Sequence, residues 1–215
     1  MNDVNDLNPI ADSIRAVFTV QNAARDEAII RSRELTRTCS ECIRAIHRQQ
    51  WDEAEAKLTT LHTAQQELKD VVSQHPELYH TGYTQDALKE VVEAHITYAI
   101  IRQKPLPTPE ALQMEAATYL LGLAEAATEL RRYILDIMRR EETHSDEAER
   151  LLDWMDAVYD HLVTFDFPDA LTHGLRRQTD VVRGVLERTR GDLTTSLQQQ
   201  RLQAALRRVE ALHKD

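Results

Sequence analysis

Two apolar stretches of the sequence, residues 91–101 and 119–130, carry carboxylates with no cation in the same stretch. In each stretch, or directly beside it, two glutamates stand one helical turn apart, where they share a helix face. Burying a carboxylate costs on the order of several kcal/mol unless it is paired, protonated or bound to a metal. The sequence therefore marks four candidate site residues, Glu90 and Glu93 in the first pair and Glu125 and Glu129 in the second.

Both pairs fall on predicted helices, which a Pro-rich segment at residues 104–107 connects. Helices joined by a short connection are expected to be antiparallel neighbours, so the four carboxylates would converge. An all-carboxylate site suits Mg²⁺, or Mn²⁺ in its place, whereas zinc and iron usually take His or Cys ligands. A metal beside a basic surface is what phosphodiester hydrolysis needs, because it activates a bound water and neutralises charge on the phosphate. The four glutamates are therefore candidate metal ligands and catalytic residues.

Two other interpretations of these glutamates stay open from the spacing alone. They could face solvent or pair with nearby cations, namely Arg102, Arg131 or Arg132. They could also belong to a carboxylate-bridged di-iron oxidoreductase, which requires Glu-x-x-His pairs. Neither His95 nor His161 follows a glutamate by three residues, which disfavours that class.

Arginines form two stripes on the predicted helices. The first set falls within about 60° on a helical wheel at 100° per residue, and the second has heptad spacing. Either stripe could bind a phosphate backbone without reading bases, or could be a solvated face with salt bridges to Glu34, Glu41 or Glu187. The candidate nucleic-acid-binding residues are Arg33, Arg37, Arg44 and Arg48 in the first stripe and Arg176, Arg183 and Arg190 in the second.

The net charge of −10 over 215 residues is unevenly distributed. Residues 108–169 hold 15 acids against 5 arginines, which accounts for the whole deficit. Residues 25–48 hold six arginines and four acids, and residues 171–190 hold five arginines and two acids. Two basic segments thus bracket an acidic middle, so an overall negative charge does not exclude nucleic acid as a partner.

The composition predicts an all-α protein. With only 5 Gly and 6 Pro, the chain is poor in the residues that strand-rich folds need for their turns. No run of 18 apolar residues predicts a membrane span, and residues 1–9 lack the features of a signal peptide. The two cysteines, Cys39 and Cys42, are expected in the core, and their small number is typical of a reducing cytoplasm, where we expect the protein.

The breaks and capping signals predict six or seven long helices in a single domain, residues 1–215. The first covers about 7–48, with a bend near 21–26, and the second covers 52–73. Thr84 is expected to cap a helix that ends near 103, and Thr108-Pro109-Glu110 is expected to begin one that runs through 140. Ser145 should cap the next helix, and the last should extend from about 168 to 212. Rods of this length leave apolar stripes uncovered, so we expect a homo-oligomer.

Five segments of the sequence resemble the translin family. They are Arg33-Glu-Leu, His75-Pro-Glu-Leu-Tyr, Asp86-Ala-Leu-Lys-Glu-Val-Val-Glu-Ala, Tyr119-Leu-Leu-Gly-Leu-Ala-Glu and Leu175-Arg-Arg-Gln-Thr-Asp-Val-Val-Arg-Gly-Val-Leu-Glu. The resemblance covers about residues 26–206, and it implies an all-α fold of about seven antiparallel helices that assembles into an octameric shell around RNA.

The family has two branches, and the resemblance implies a different function for each. Translin binds single-stranded nucleic acid and lacks catalytic carboxylates, whereas translin-associated factor X carries them and is a Mg²⁺-dependent endoribonuclease in the mixed complex. Glu90, Glu93 and Glu129 match three acids of the catalytic pattern, and Glu125 stands where the family usually has Asp. The sequence therefore predicts a Mg²⁺-dependent endoribonuclease for single-stranded RNA. The alternative is a non-catalytic shell that binds single-stranded RNA or DNA.

Overall fold

The computed structural model describes residues 7–141 and 145–212, and all regular elements in these ranges are helices. The prediction of an all-α fold is confirmed. Six helices are long and two are single turns. In chain order they are α1 (Leu7–His47), α2 (Trp51–Val72), α3 (Pro76–Tyr79), α4 (Gly82–Ile101), α5 (Ala116–Glu141), α6 (Asp146–Leu162), α7 (Asp169–Thr172) and α8 (Leu175–Leu212).

The helices pack around a large core. Helix α4 crosses this core, and most of its residues are buried. Helices α1 and α2 form an antiparallel pair, because Arg31 reaches Glu67 at 3.0 Å while Cys42 contacts the carbonyl of Ala54 near the connecting turn. Helix α4 packs on α1 and on α5, and α6 and α8 cover the other side of α5. A smaller apolar cluster joins α5, α6 and α8 through Ala124, Ala127, Val158, Leu162, Leu175 and Val182.

Helices α4 and α5 run parallel, so the expectation that they are antiparallel neighbours is wrong. The hydroxyl of Thr118, near the start of α5, donates to Gln85, near the start of α4, at 2.6 Å. One turn further along α4 and two turns further along α5, Lys89 Nζ lies 2.8 Å from Glu125 Oε1. Because both helices start at the same end, the chain must travel the full length of α4, about 30 Å at 1.5 Å per residue, before α5 begins.

The return segment, residues 102–115, makes this crossing in place of the helix start predicted at Thr108. Thr108 does accept a hydrogen bond from the Ala111 amide, but only one turn forms before Gln113 adopts a left-handed φ of 53°. Helix α2 holds this turn, since the Gln65 amide donates to the Leu112 carbonyl at 2.8 Å. The tertiary contact, rather than the local capping signal, decides where α5 begins.

The other boundaries are close to the predicted ones. Helix α1 is continuous through the expected bend, and the Ser145 hydroxyl caps α6 by accepting from the Ala148 amide at 3.2 Å. Thr81, not Thr84, is the N-cap residue of α4. The last predicted helix is divided in two, because Gly174 with φ 87° and His173 with φ 49° separate α7 from α8.

No helix in the described ranges is both long and apolar enough to cross a membrane. The signal-peptide prediction concerns residues 1–9, of which residues 1–6 lie outside the described part of the chain.

Candidate functional site

Helix α4 places two of the four predicted glutamates on its packed surface. Glu93 is only 8% exposed and lies among buried neighbours, while Glu90 is half-buried one turn earlier. The side chains that flank Glu93 in sequence, Val92 and Ala94, are fully buried. A carboxylate at this position has lost most of its contact with water, as the sequence pattern predicts.

Helix α5 approaches α4 closely enough to bring the other pair beside the first. Gly122 makes this approach possible, because a Cβ atom there would lie 2.6 Å from Cβ of Val92 and 2.7 Å from the carbonyl oxygen of Lys89. One and two turns after Gly122, the half-buried side chains of Glu125 and Glu129 follow on the same helix. The parallel pair thus brings together the four glutamates, which we call the carboxylate cluster (Glu90, Glu93, Glu125 and Glu129).

The carboxylate cluster changes the acidity of its own members. Burial, the largest cause, and the negative charges of Glu125, Glu129 and Glu90 together raise the pKa of Glu93 to about 8, while Lys89 acts in the opposite direction. The pKa of Glu90 is raised for the same reasons, with burial again the largest cause. The cluster therefore holds more negative charge than its protein surroundings neutralise.

Each of the two α5 carboxylates has a cationic or hydrogen-bonding partner on another helix. Lys89 Nζ contacts Glu125 Oε1 at 2.8 Å. His47 Nε2 donates to Glu129 Oε2 at 2.6 Å, and the His47 side chain, at the end of α1, is only 4% exposed. Its other nitrogen, Nδ1, has no hydrogen bond within the described structure and lies 4.0 Å from Asp136 Oδ2.

Sequence reasoning did not find Lys89 or His47 as part of the site. Lys89 directly precedes Glu90 and lies one turn before Glu93, so the helical spacing held a usable signal. His47 is 82 residues from Glu129, and no local pattern connects the two. Of the arginines expected as partners, only Arg132 approaches the cluster, at 4.0 Å from Glu129.

The chemistry of the cluster fits a hard divalent cation, although its side chains do not form a coordination sphere. Four carboxylates supply only oxygen donors, and the raised pKa of Glu93 reflects burial first and then the negative charge of its three neighbours, which a cation would offset. Within the described ranges, no group of three or more His, Cys, Asp or Glu side chains is arranged to hold a metal ion. Glu125 is turned to Lys89 and Glu129 to His47.

Both predicted arginine stripes lie on exposed helix faces, and part of each is paired with acids. On α1, Arg37 bonds to Glu41 at 3.1 Å. On α8, Arg183 bonds to Glu187 at 3.0 Å, and Arg190 pairs with Asp156 on α6. The remaining members of the stripes have no ion pair within residues 7–141 and 145–212. They are Arg33, Arg44 and Arg48 on α1 and Arg176 on α8.

The two cysteines are core residues, as predicted. Cys39 and Cys42 are fully buried, free thiols on α1. Burial is the main cause that raises the pKa of both, to about 12 for Cys42, and the charge of Glu90 contributes for Cys39. Cys39 therefore faces the carboxylate cluster from α1 as an uncharged thiol.

The fold and the site together define an all-helical protein with a largely buried carboxylate cluster and arginines on exposed helix faces. No protein-family model matches the chain. An uncharacterized protein from Methanocaldococcus jannaschii is 34% identical over 192 residues, which cover 88% of this chain and 84% of that protein. The crystal structure of AfC3PO, a translin-associated factor X-like protein from Archaeoglobus, is 33% identical with a TM-score of 0.77 and covers 86% of this chain and 96% of its own.

Two further structures show the same fold. The AfC3PO complex with duplex RNA is 34% identical to this chain, with a TM-score of 0.72 over 86% of this chain and 95% of its own. Apo-NeC3PO, from Nematostella, has a TM-score of 0.77 over 87% of this chain and 97% of its own at 19% identity, which is a likeness of fold alone. This chain belongs to the translin and translin-associated factor X family.

Proposed function

We propose that this protein is a Mg²⁺-dependent endoribonuclease that cleaves single-stranded RNA. The observation that carries the proposal is the convergence of four carboxylates from two parallel helices, of which Glu93 is buried and the other three are half-buried, with Lys89 as the one close cation among the described residues. A protein that only bound nucleic acid would gain nothing from such a cluster, because it repels phosphate. A divalent cation, by contrast, would turn the same charges into a ligand set.

Glu90, Glu93, Glu125 and Glu129 are the residues that would hold Mg²⁺. When bound, Mg²⁺ supplies an activated water and offsets negative charge on the attacked phosphate. His47 keeps the Glu129 carboxylate in one orientation by donating from Nε2. Glu93, whose surroundings favour its protonated form when no cation is present, would have to lose its proton to act as a ligand.

The exposed arginines would bind the RNA backbone. Guanidinium groups bind phosphate oxygens in a planar, bidentate manner that does not depend on base sequence. Arg33, Arg44, Arg48 and Arg176 are free of intrachain ion pairs within the described ranges, so their charges are available. A structure of AfC3PO, a relative at 34% identity, in complex with duplex RNA supports RNA as the ligand of this chain too.

We further propose that the protein acts as a homo-octameric shell, in keeping with its family. The arginine stripes would then line the interior, and the acidic segment 108–169 would lie toward the outside. This arrangement reconciles a net charge of −10 with an anionic ligand.

A non-catalytic shell for single-stranded RNA or DNA is the second candidate function. It is favoured by the contacts of Glu125 with Lys89 and of Glu129 with His47, which use two of the four carboxylates in intrachain bonds. The longer Glu125 side chain, at a position where the family usually has Asp, also favours the non-catalytic function.

A cleavage assay separates the two functions. End-labelled single-stranded RNA and DNA of one sequence are incubated with Mg²⁺, Mn²⁺ or EDTA, using the wild type and Glu93→Ala. For a nuclease we expect metal-dependent cleavage of RNA that Glu93→Ala abolishes, while binding in EDTA stays equal or becomes tighter because one repelling carboxylate is gone. Binding by the wild type without cleavage in any metal would instead establish the non-catalytic shell. Cleavage by Glu93→Ala at the wild-type rate would show that the assigned site is wrong.

A further inference from the structure

We propose that a groove between α1 and α4 is a phosphate-binding subsite, which holds the RNA backbone beside the carboxylate cluster. Its polar lining consists of Ser32, Arg33, Thr36, Arg37, Tyr83 and Asp86, and we call it the α1–α4 groove. This inference rests on the proposed function, since it takes RNA as the ligand. It assigns a role to two hydroxyl side chains, those of Ser32 and Tyr83, that the carboxylate cluster does not use.

The groove lies on the same seam as the carboxylate cluster. Ser32 is seven residues before Cys39 on α1, and Tyr83 is seven residues before Glu90 on α4. Cys39 is close enough to Glu90 for the carboxylate to influence its pKa. Seven residues correspond to about 10 Å along a helix, so an RNA strand that follows the seam from the cluster enters the groove after a short distance.

The charges in the groove favour an anion. Arg33 is exposed and has no ion pair among residues 7–141 and 145–212. The Arg37 side chain is 81% exposed, and its Nε bonds to Glu41 Oε1 at 3.1 Å. Asp86 is the one acid in the lining, and its charge is partly offset by Lys89, whose Nζ lies 3.6 Å from Asp86 Oδ1. Because Arg37 is paired with Glu41 and Asp86 lies near Lys89, the unpaired Arg33 guanidinium is the positive group that a phosphate would meet in the groove.

Two hydroxyl groups in the lining lack hydrogen bonds. Ser32 Oγ and Tyr83 Oη are both buried and have no partner in the described structure, and the whole Ser32 residue is only 4% exposed. An unsatisfied buried hydroxyl destabilises the folded state, and native proteins rarely leave one without a reason. Both groups can donate to an acceptor oxygen, and both side chains line the groove. A phosphate oxygen held by Arg33 would supply the missing acceptor after a small movement of these two side chains toward the groove, because their oxygens are closed to solvent in the RNA-free protein.

The first test measures RNA binding in EDTA, where metal-dependent cleavage cannot occur. The probe is a fluorescein-labelled single-stranded RNA, and its anisotropy gives the dissociation constant over a range of salt concentrations. For Arg33→Ala we expect about tenfold weaker binding, the loss of one charge-assisted contact. We also expect a slope of log K against log salt that is smaller by about 0.7, the value for one phosphate contact on a single strand. Arg207→Ala, at an exposed arginine far along α8 that has no ion pair within the described ranges, is the matched control and should change neither quantity by as much.

The second test removes the two hydroxyl groups one at a time. We expect the thermal stability of the protein to be kept or increased and its affinity for RNA to fall. Tyr83→Phe and Ser32→Ala each remove a buried hydroxyl that has no partner in the described structure, so the melting temperature should stay the same or rise. RNA binding should nevertheless weaken by about three- to tenfold, because the phosphate loses a donor. A purely structural role for either residue would lower the melting temperature and leave the affinity of the folded protein unchanged.

The outcomes distinguish failure of the subsite from failure of the proposed function. If the wild type binds RNA in EDTA and the three variants bind it equally well, the groove is not a subsite, and the proposed function is untouched. If the wild type cleaves no RNA but these variants still lose affinity for it, the subsite stands and the endoribonuclease does not. An acidic peptide that competes with RNA for the wild type and not for Arg33→Ala would assign the groove to a protein partner and overturn the RNA subsite.

Discussion

Among the carboxylates of the described ranges, Glu93 is the one whose pKa burial and neighbouring charges raise furthest. It could be found from the sequence, because it is the only charge in an eleven-residue apolar stretch. Its partners within the cluster follow from helical spacing on each helix separately. What spacing alone could not supply is the set of groups that approach from a third helix, above all His47, whose contact with Glu129 depends on how α1 packs.

The raised pKa of Glu93 makes the stability of the metal-free protein depend on pH. The folded state keeps the Glu93 proton up to about pH 8, whereas an unfolded glutamate loses it near pH 4.5. The free energy of unfolding therefore falls as the pH rises from about 4.5 to about 8, by on the order of a few kcal/mol, and levels off above that range. Melting temperatures of the wild type and Glu93→Gln, measured in EDTA from pH 5 to pH 8.5, check this expectation.

Glu93→Gln keeps the shape of the protonated side chain and cannot ionise, so it isolates the contribution of this group. We expect it to melt close to the wild type at pH 5 and at a higher temperature at pH 8. A constant difference between the two proteins across the whole range would contradict the raised pKa.

His47 provides a second test at the residue scale. Its Nε2 donates to Glu129 from a nearly inaccessible position, so His47→Ala removes the group that orients this carboxylate. Groups that orient metal ligands typically contribute about 10- to 100-fold in metal affinity. We expect Mg²⁺ binding to weaken by about that factor, measured by titration calorimetry without RNA.

His95→Ala is the matched control for a lost histidine. His95 is half-buried on α4 and bonds to the Val91 carbonyl of its own helix at 2.9 Å, rather than to a carboxylate. The Mg²⁺ affinity should therefore stay within about twofold of the wild type. Equal Mg²⁺ affinities in His47→Ala and the wild type would remove His47 from the site.

At the scale of the elements, the bounds of most helices could be predicted closely from the sequence. The direction of α5 relative to α4 could not. Prolines, capping residues and apolar periodicity act over a few residues, and they locate α1, α2, α4 and α6 to within a few positions. The start of α5 is decided by contacts of the return segment with α2, such as the bond from Gln65 to Leu112. Such contacts join residues 47 positions apart, so no local pattern reveals them or the parallel direction that results.

At Gly122 the packing of α4 on α5 leaves no room for a larger side chain. In Gly122→Ala the new Cβ would lie 2.6 Å from Val92 Cβ and 2.7 Å from a backbone oxygen, so the two helices must separate. Overpacking of this kind costs about 1–3 kcal/mol. We expect a lower melting temperature together with weaker Mg²⁺ binding, because the α5 carboxylates move away from those on α4.

Gly191→Ala is the control for the loss of a helical glycine. A Cβ atom added at this position in α8 would have no side-chain or distant backbone atom within 4 Å. Alanine should therefore stabilise the protein by up to about 1 kcal/mol through helix propensity. If Gly122→Ala were equally stabilising, the close approach of α4 and α5 would not be what requires glycine there.

At the scale of the whole molecule, the single chain leaves large apolar surfaces exposed. The first turns of α1 carry one apolar face whose side chains are 49–63% exposed, made of Leu7, Ile10, Ile14, Val17 and Phe18. The distal part of α8 adds Leu202, Leu206 and Val209. Monomeric proteins rarely expose contiguous faces of this kind, which agrees with the homo-oligomer that we propose.

Native mass spectrometry tests the assembly directly. We expect a main species at eight times the chain mass of 24.7 kDa. Phe18→Glu places a charge in the exposed apolar face and should shift the population to smaller species. Thr19→Glu adds the same charge one position further along α1 and serves as the control. A wild-type protein that is monomeric at micromolar concentration would contradict the shell.

The return segment has a consequence for how this chain could be divided. Residues 102–105 are exposed, and they separate Glu90 and Glu93 from Glu125 and Glu129. A cut there yields an N-terminal fragment with α1 to α4 and a C-terminal fragment with α5 to α8, each holding half of the carboxylate cluster. Neither fragment alone could then display the site, and its recovery on co-expression would report the docking of α5 against α4. The division of the carboxylate cluster between the two sides of an exposed segment thus makes the protein suited to fragment complementation.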